Sequence, residues 1–333
     1  MHTQNLKNYL FIGLINGLLF LSINSSGQNP NLNVPLKNGV LLFNSGFEPG
    51  SRIVHGPDPF TSDDNIAGKD LSVDPPNDWR NNVNLGRWNF QYQQGDTTQR
   101  KLRIVPDPVN PENNVLSFWV RDQWVNAGGN TVGRIQANLR TSNEGYINGI
   151  KELYQKNKMF VHEDVAVFNN YLSTGKFFTI LEIWNNTGWE EDPYRFRIAI
   201  GIGKAKNELT GDICFVVYGQ DELNYVTIWE ERNSNIPIPV GEWITMEYYM
   251  KEGDDQNGRF WMAMTREGGE REVIFDIYNF THNRKNPNPN GITFYNPLKV
   301  YITDKDAMAF LKSHNKAIQL YFDDFEVWRG NLP

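Results

Sequence analysis

One cysteine, Cys214, stands in 333 residues, so the chain can make neither an internal disulfide nor a site of several thiolates. A basic surplus is missing as well. The 32 Lys and Arg are outnumbered by 39 Asp and Glu, and a net charge of -7 gives no overall pull toward nucleic acid or anionic lipid. Only one long apolar run is present, from Tyr9 to Ile23, and its 15 residues fall short of the ~20 that a spanning helix needs. No repeat of fixed period is found. What the chain does have is aromatic mass: 20 Phe, 14 Tyr and 10 Trp, within 39% hydrophobic and only 21% charged residues, a balance that buries a core and excludes wholesale disorder.

The apolar run follows Lys7 and precedes Ser25, Ser26 and Gly27, the layout of a secretory signal with small residues at its cleavage site. Removing residues 1–27 takes away one lysine, leaving 306 residues and a net charge of -8. The expectation is a secreted or periplasmic protein that has no membrane insertion after cleavage and acts as a monomer. Residues 28–40, rich in Asn and Pro, read as a flexible lead-in, and 41–330 as a single domain.

Within that domain, 49–101 is rich in Gly, Pro, Asp and Asn and reads as long ordered loops. After it come short runs of period-two alternation bounded by turn residues: 114–121, 133–140, 158–168, 177–184, 194–201, 212–218, 242–251, 259–266, 271–278, 298–303 and 317–328. Only 146–155 and 304–314 read as helical. The predicted fold class is all-β, an antiparallel sandwich or jelly roll with long loops and one or two short helices.

Because side chains alternate across a strand, each run divides into a core set and an opposite set. In 133–140 the opposite set is Arg134, Gln136, Asn138 and Arg140; in 177–184 it includes Glu182 and Trp184; in 194–201 it is Arg195 and Arg197. Trp243, Thr245, Glu247 and Tyr249 share a side in 242–251, and Lys299 and Tyr301 in 298–303. If these strands share one sheet, they form a broad groove of Arg, Lys, Gln, Glu, Tyr and Trp suited to a polysaccharide, rings stacking on sugars and cations meeting acidic groups. Ordinary solvent-facing residues of an antiparallel sheet would give the same alternation.

The order RIQANLR, TILEIW and NPLKVYITD, with PVGEWITMEYYMKEGDDQNGRFWMAM and IQLYFDDFEVW, resembles the jelly-roll polysaccharide lyases, the concanavalin-like relatives of alginate lyase and heparin lyase I. The resemblance spans about residues 130 to 328. It implies β-elimination on a uronic-acid-containing polysaccharide, with Tyr301 as proton shuttle. By position it sets Arg134 for the family's first-strand arginine, Glu182 and Trp184 for the central Gln and His, and Lys299 beside Tyr301. Arg134, Gln136, Asn138, Trp184, Arg195, Arg197, Glu247, Tyr249 and Lys299 are then the substrate-binding candidates. No histidine occupies the central motif, which leaves Tyr301 assisted by cations, with Glu182 as a further catalytic candidate and His162 or His282 as substitute bases.

Two other functions fit the same residues. Glu182 and Glu247, if about 5 to 9 Å apart, would make a glycoside hydrolase, and an open flat sheet would make a non-catalytic carbohydrate-binding protein. The segments SGFEPGS and YFDDFEVW resemble the paired termini of jelly-roll carbohydrate-binding domains that share a structural calcium ion, implying Glu48 with Asp323 or Asp324 as oxygen ligands. Cys214, in DICFVVY, reads as a buried hydrophobe rather than a nucleophile, and Gly201-Ile202-Gly203-Lys204 as a turn rather than a phosphate loop.

Overall fold

A computed structural model describes residues 39–56, 64–74, 76–79, 88–140, 149–186, 193–221 and 225–330, the side chain of Arg140 excepted. The leader and nearly all of the lead-in lie outside the described residues.

The chain is all-β. Its strands are β1 (Val40–Ser45), β2 (Ser51–Val54), β3 (Asn65–Gly68), β4 (Trp88–Gln91), β5 (Arg100–Pro106), β6 (Asn114–Val120), β7 (Trp124–Val125), β8 (Thr131–Arg140), β9 (Glu152–Val161) and β10 (Lys176–Asn185). They continue with β11 (Phe196–Gly203), β12 (Cys214–Asp221), β13 (Val226–Asn233), β14 (Trp243–Lys251), β15 (Arg259–Arg266), β16 (Arg271–Tyr278), β17 (Ile292–Asn296), β18 (Lys299–Ile302) and β19 (Ile318–Arg329). Two antiparallel sheets form a sandwich. One runs β16-β15-β14-β9-β19-β6-β5 with β1 on β19, and the other β13-β12-β11-β10-β17-β8-β18 with β4 and β7 on β8.

The core lies between the sheets and follows from the alternation. Ile135, Ala137 and Leu139 of β8, Ile198, Ile200 and Ile202 of β11, and Val300 and Ile302 of β18 turn inward and meet Ile244, Met246 and Met250 of β14 and Leu320 and Phe322 of β19. Each such side chain larger than alanine contributes ~1.5–3 kcal/mol on burial. The loop-rich stretch before β5 is anchored by its aromatics: Trp79 and Trp88 pack on Phe43 with ring centroids 4.5 and 5.3 Å away, and Trp88 meets Phe325 edge-on.

The second expected helix is α1 (Lys305–Ser313), started by Asp304, whose carboxylate accepts from the amides of Asp306 and Ala307 at 3.0 Å. The first expected helix is corrected. Of 146–155 the described part enters β9 at Glu152, because that strand is paired on both sides, with β14 and β19, and sheet pairing overrides the local preference. The run 158–168 also divides: the strand ends at Val161, and His162 caps a 3₁₀ helix over Glu163–Asn170. No described helix is long and apolar enough to cross a membrane.

Candidate functional site

The face of the second sheet turned away from the core carries a cleft of about 470 Å³. Its position follows from strand order. β18 lies against β8 with Tyr301 opposite Arg134 and Lys299 opposite Gln136, and β10 and β11 bring Trp184 opposite Arg197. The Arg134 guanidinium sits 4.6 Å over the Tyr301 ring, and the Lys299 Nζ 4.9 Å from the same ring's centre. Arg134, Lys176, Trp184, Arg197, Tyr218 and Tyr301 line the cleft. Lys176 lies 3.7 Å over the Tyr218 ring and 3.3 Å from Glu230.

Beneath the floor lies a buried ionic cluster. Lys299 Nζ donates to Glu182 Oε2 at 2.5 Å, Arg197 Nη1 reaches Glu182 Oε1 at 3.2 Å, and Trp184 Nε1 donates to Glu182 Oε2 at 3.2 Å. Arg197 Nη2 also donates to Gln220 Oε1 at 2.6 Å. Burial opposes the charge on Glu182, but the Lys299 ammonium and the Arg197 guanidinium outweigh it and hold the carboxyl below its usual range. Burial pushes Lys299 down to about 7; Glu182 works to keep it protonated, while Arg134 and Arg197 add to the downward push. One carboxylate thus stands among three cationic side chains, so the cluster is cationic overall.

A layer of amides borders this cluster. Gln136 Nε2 donates to Gln91 Oε1 at 3.0 Å and Asn138 Oδ1 at 2.8 Å, and Asn296 Nδ2 donates to Asn138 Oδ1 at 2.7 Å. Gln136 Oε1 and Asn296 Oδ1 are buried with no hydrogen-bond partner among the described residues.

The structure therefore brings together Arg134, Gln136, Asn138, Glu182, Trp184, Arg197, Lys299 and Tyr301, as their alternation implied. It also sorts them. Arg134, Trp184, Arg197 and Tyr301 line the cleft, Arg197 and Tyr301 half-buried but Arg134 and Trp184 buried at 2% and 1% exposure, whereas Gln136, Asn138, Glu182 and Lys299 are buried without lining it.

Other expected residues fall elsewhere. Glu247 and Tyr249 lie on β14, in the opposite sheet, where Glu247 accepts from Tyr154 Oη at 2.6 Å and Arg271 Nη2 at 2.8 Å, and Tyr249 packs with Tyr154, Trp261 and Trp328. Alternation gave the correct side of the strand but carries no information on which sheet holds it. His162 is also remote from the cleft: it accepts from the Asp164 amide at 3.1 Å and lies by Tyr321 of the other sheet. Arg195 precedes β11 and is not part of the cleft lining, and His282 is buried with its Nδ1 2.8 Å from the Asn283 carbonyl. Burial pushes the Cys214 thiol up to about 11, in keeping with an inert core residue.

Gln93, Lys176, Thr179 and Tyr218 belong to the cleft without having been read from the sequence. Tyr218 was legible, since Phe215 and Val217 alternate with it in β12. Thr179 was not. A register shift between Thr179 and Leu181 places it opposite Tyr301, out of phase with Glu182 and Trp184 under a strict period of two.

The acids expected to hold calcium are committed otherwise. Glu48 accepts from the Asn114 amide and its Nδ2 at 3.2 and 3.3 Å, and Asp324 is ion-paired with Lys158 at 2.7 Å. Asp323 accepts from Asn113 Nδ2 at 2.9 Å, and burial pushes its carboxyl up to about 7. Among the described residues no group of three or more His, Cys, Asp or Glu is placed to hold a metal ion. The donor set does not fit calcium as it stands, with an ammonium already beside Asp324.

No family model and no curated protein matches the chain. Among solved structures it is similar to an alginate lyase of polysaccharide lyase family 14 from Aplysia kurodai, at 9% identity and a TM-score of 0.43, over 69% of this chain and 87% of that one. It is similar to an endo-β-1,4-glucuronan lyase from Trichoderma reesei at 13% identity and a TM-score of 0.38, over 70% and 88% of the two chains. The alginate lyase AlyC3 is similar at 11% identity and a TM-score of 0.40, over 84% of this chain and 89% of that one.

Proposed function

We propose that the protein is a polysaccharide lyase acting on a uronic-acid-containing chain. The observation that supports this reading is Tyr301, set in an open cleft between the guanidinium of Arg134 and the ammonium of Lys299. Elimination requires that the sugar carboxylate be neutralised, the C5 proton removed and the leaving O4 protonated. Arg134 and Arg197 pair with the carboxylate and withdraw charge from C5. The Tyr301 oxygen, as phenolate, takes the C5 proton; the C4=C5 bond forms as the C4–O4 bond breaks, and the same oxygen returns the proton to O4. Protons balance without any other donor. The cations around Tyr301 favour its phenolate, and the half-buried Tyr218 offers a ring for stacking against a sugar face.

Glu182 serves this scheme as a buried counter-ion that keeps Lys299 and Arg197 in place rather than as a catalytic acid. A hydrolase pairing of Glu182 with Glu247 is abandoned, because the two carboxylates stand on different sheets. The protein works outside the cytoplasm as a monomer released from its leader; N-terminal sequencing of the mature protein that begins at Met1 would refute the export. For the reaction, the test is a polyuronate such as alginate or glucuronan set beside the same polymer with its carboxyl groups reduced to alcohols. Cleavage of the acid polymer alone is expected. Equal cleavage of both overturns the reading, and binding without cleavage makes the protein a carbohydrate-binding module.

A further inference from the structure

The far end of the cleft holds a cation that the proposed elimination leaves unused. Across the sheet, Tyr301 of β18 stands opposite Thr179 of β10, and a row of pairs continues from there through Gly201 of β11 to Val216 of β12. Neighbouring strands lie ~4.8 Å apart, so the backbone of β12 runs ~14 Å from that of β18, farther than one sugar residue of a chain reaches. Tyr218 of β12 lines the cleft there, and the Lys176 Nζ sits 3.7 Å over its ring.

Glycine opens the route that brings Lys176 to this place. Lys176 belongs to β10, so its side chain has to cross β11 to meet Tyr218. Gly203 stands opposite it on β11, and Gly201 comes next on the same side of that strand. Gly201, Ile202 and Gly203, read from the sequence as a turn, are the last residues of β11. A Cβ on Gly201 would come 2.7 Å from the Phe178 carbonyl oxygen, and one on Gly203 2.7 Å from the Gly175 carbonyl oxygen and 3.2 Å from the Lys176 Cα. With no side chain at either position, the lysine stem lies across the strand and the cleft floor between Tyr301 and Tyr218 stays low.

The partners of Lys176 do not use it up. Glu230 Oε2 accepts from its Nζ at 3.3 Å, while Glu230 Oε1 accepts from Arg232 Nε at 2.9 Å. Arg232 also donates to the carbonyls of Thr174 and Lys204 at 2.6 and 2.7 Å, and its side chain is only 13% exposed. Burial opposes the charge on Glu230, but the bond from Arg232 and the Lys176 ammonium outweigh it and hold the carboxyl below its usual range. Two cations thus share one carboxylate, which Arg232 alone would balance. The one that lines the cleft is Lys176, 34% exposed. An ammonium has three N–H donors, and among the described residues Glu230 is the one hydrogen-bond acceptor on Lys176.

We propose that Lys176 binds the carboxylate of a second acidic sugar, more than one residue along the chain from the sugar held at Tyr301, so that the cleft selects chains carrying several uronates. The inference rests on the reading of the cleft as a polyuronate site.

Affinity is measured by calorimetry in the Tyr301→Phe background, where turnover does not consume the ligand. The probes are the disaccharide and the hexasaccharide of glucuronate, and the same hexasaccharide with its carboxyls reduced to alcohols. Lys176→Met keeps an unbranched apolar stem; it should weaken the acid hexasaccharide ~10-fold or more, and the disaccharide and the reduced hexasaccharide far less. Glu230→Gln removes the competing carboxylate and should tighten the acid hexasaccharide, a gain that a lysine merely tying β10 to β13 would not give. Unchanged binding of the acid hexasaccharide in Lys176→Met, an equal loss with either of the other probes, no gain in Glu230→Gln, or no binding of the acid hexasaccharide at all overturns the inference. Cleavage is scored separately in the wild type: uronates bound without unsaturated ends would sink the elimination and leave the Lys176 result standing, and the converse outcome would sink Lys176 alone.

Discussion

The two sheets put similar residues on the faces they turn away from the core, yet the faces differ in what they do with them. On the face of β14 and β15, Tyr154, Tyr249, Trp261 and Trp328 pack on one another, and Glu247 is ion-paired with Arg271 and accepts a hydrogen bond from Tyr154. On the face of β8, β10, β11 and β18, one carboxylate, Glu182, is surrounded by Lys299, Arg197 and Arg134, and the half-buried rings of Tyr218 and Tyr301 border the cleft. Balanced charge and mutual packing make the first a structural surface. Excess positive charge over an open cleft sets the second apart and is what the proposed function uses to bind an anionic sugar chain. Residue types alone do not separate them; the ratio of cations to carboxylates does.

The largest effect that breaks this contrast is expected from Tyr301→Phe. It removes one hydroxyl from the cleft and should lower turnover ~10²–10⁴-fold, with KM and melting temperature little changed. Steady-state kinetics on a polyuronate checks it, and full turnover in the variant eliminates the mechanism.

Next is Glu182→Gln. It leaves the buried Lys299 and the half-buried Arg197 without their carboxylate, and urea unfolding should show a loss of ~3–5 kcal/mol. A loss near zero would mean that the cluster is not the electrostatic unit described.

A smaller effect distinguishes the faces by pH. Lys299 titrates near 7 in the folded protein and near its ordinary 10.5 when unfolded, so between these values the unfolded chain binds more protons. The stability contributed by this group therefore rises with pH from about 7 to 10. Wild type should gain stability relative to Lys299→Met across that window, and parallel curves for the two would contradict the placement. Glu182 acts at the other end: its contribution is present above its unfolded value of 4.5 and is lost as pH falls through its lower folded value.

The smallest effect is reserved for the structural face. Glu247→Gln should cost ~1 kcal/mol and leave turnover unchanged, since Arg271 remains one-third exposed to water. A large drop in turnover would bring the two faces back together and revive a carboxylate mechanism.

How much of this was legible in the sequence depends on which physical rule carries the information. Period-two alternation identified the inward sets of β8, β11 and β18 and placed Arg134, Lys299 and Tyr301 on one side, because pleating leaves no other choice. It also placed Glu247 and Tyr249 on the outer side of β14, correctly, but sheet membership is decided by pairing across long sequence separations, as in β9 with β19 and β14. Burial depth was equally out of reach: Gln136 and Tyr301 stand on the same side of neighbouring strands, yet one lies beneath the floor and the other lines the cleft. The bulge that brings Thr179 opposite Tyr301 breaks the period itself, and the expected helix at 146–155 gave way to a strand flanked on both sides. The helix at Asp304 was legible because its cap and its amphipathic pattern are local.

The central claim is that the cationic cleft carries out elimination, and the composition of the new chain ends tests it most directly. Polyuronate is digested with the wild-type protein, and ultraviolet-absorbing C4=C5 ends are counted against reducing ends in the same sample. The account predicts one unsaturated end for every reducing end formed. Reducing ends that accumulate without unsaturation would mean that water, not Tyr301, completes the cleavage, and would contradict it.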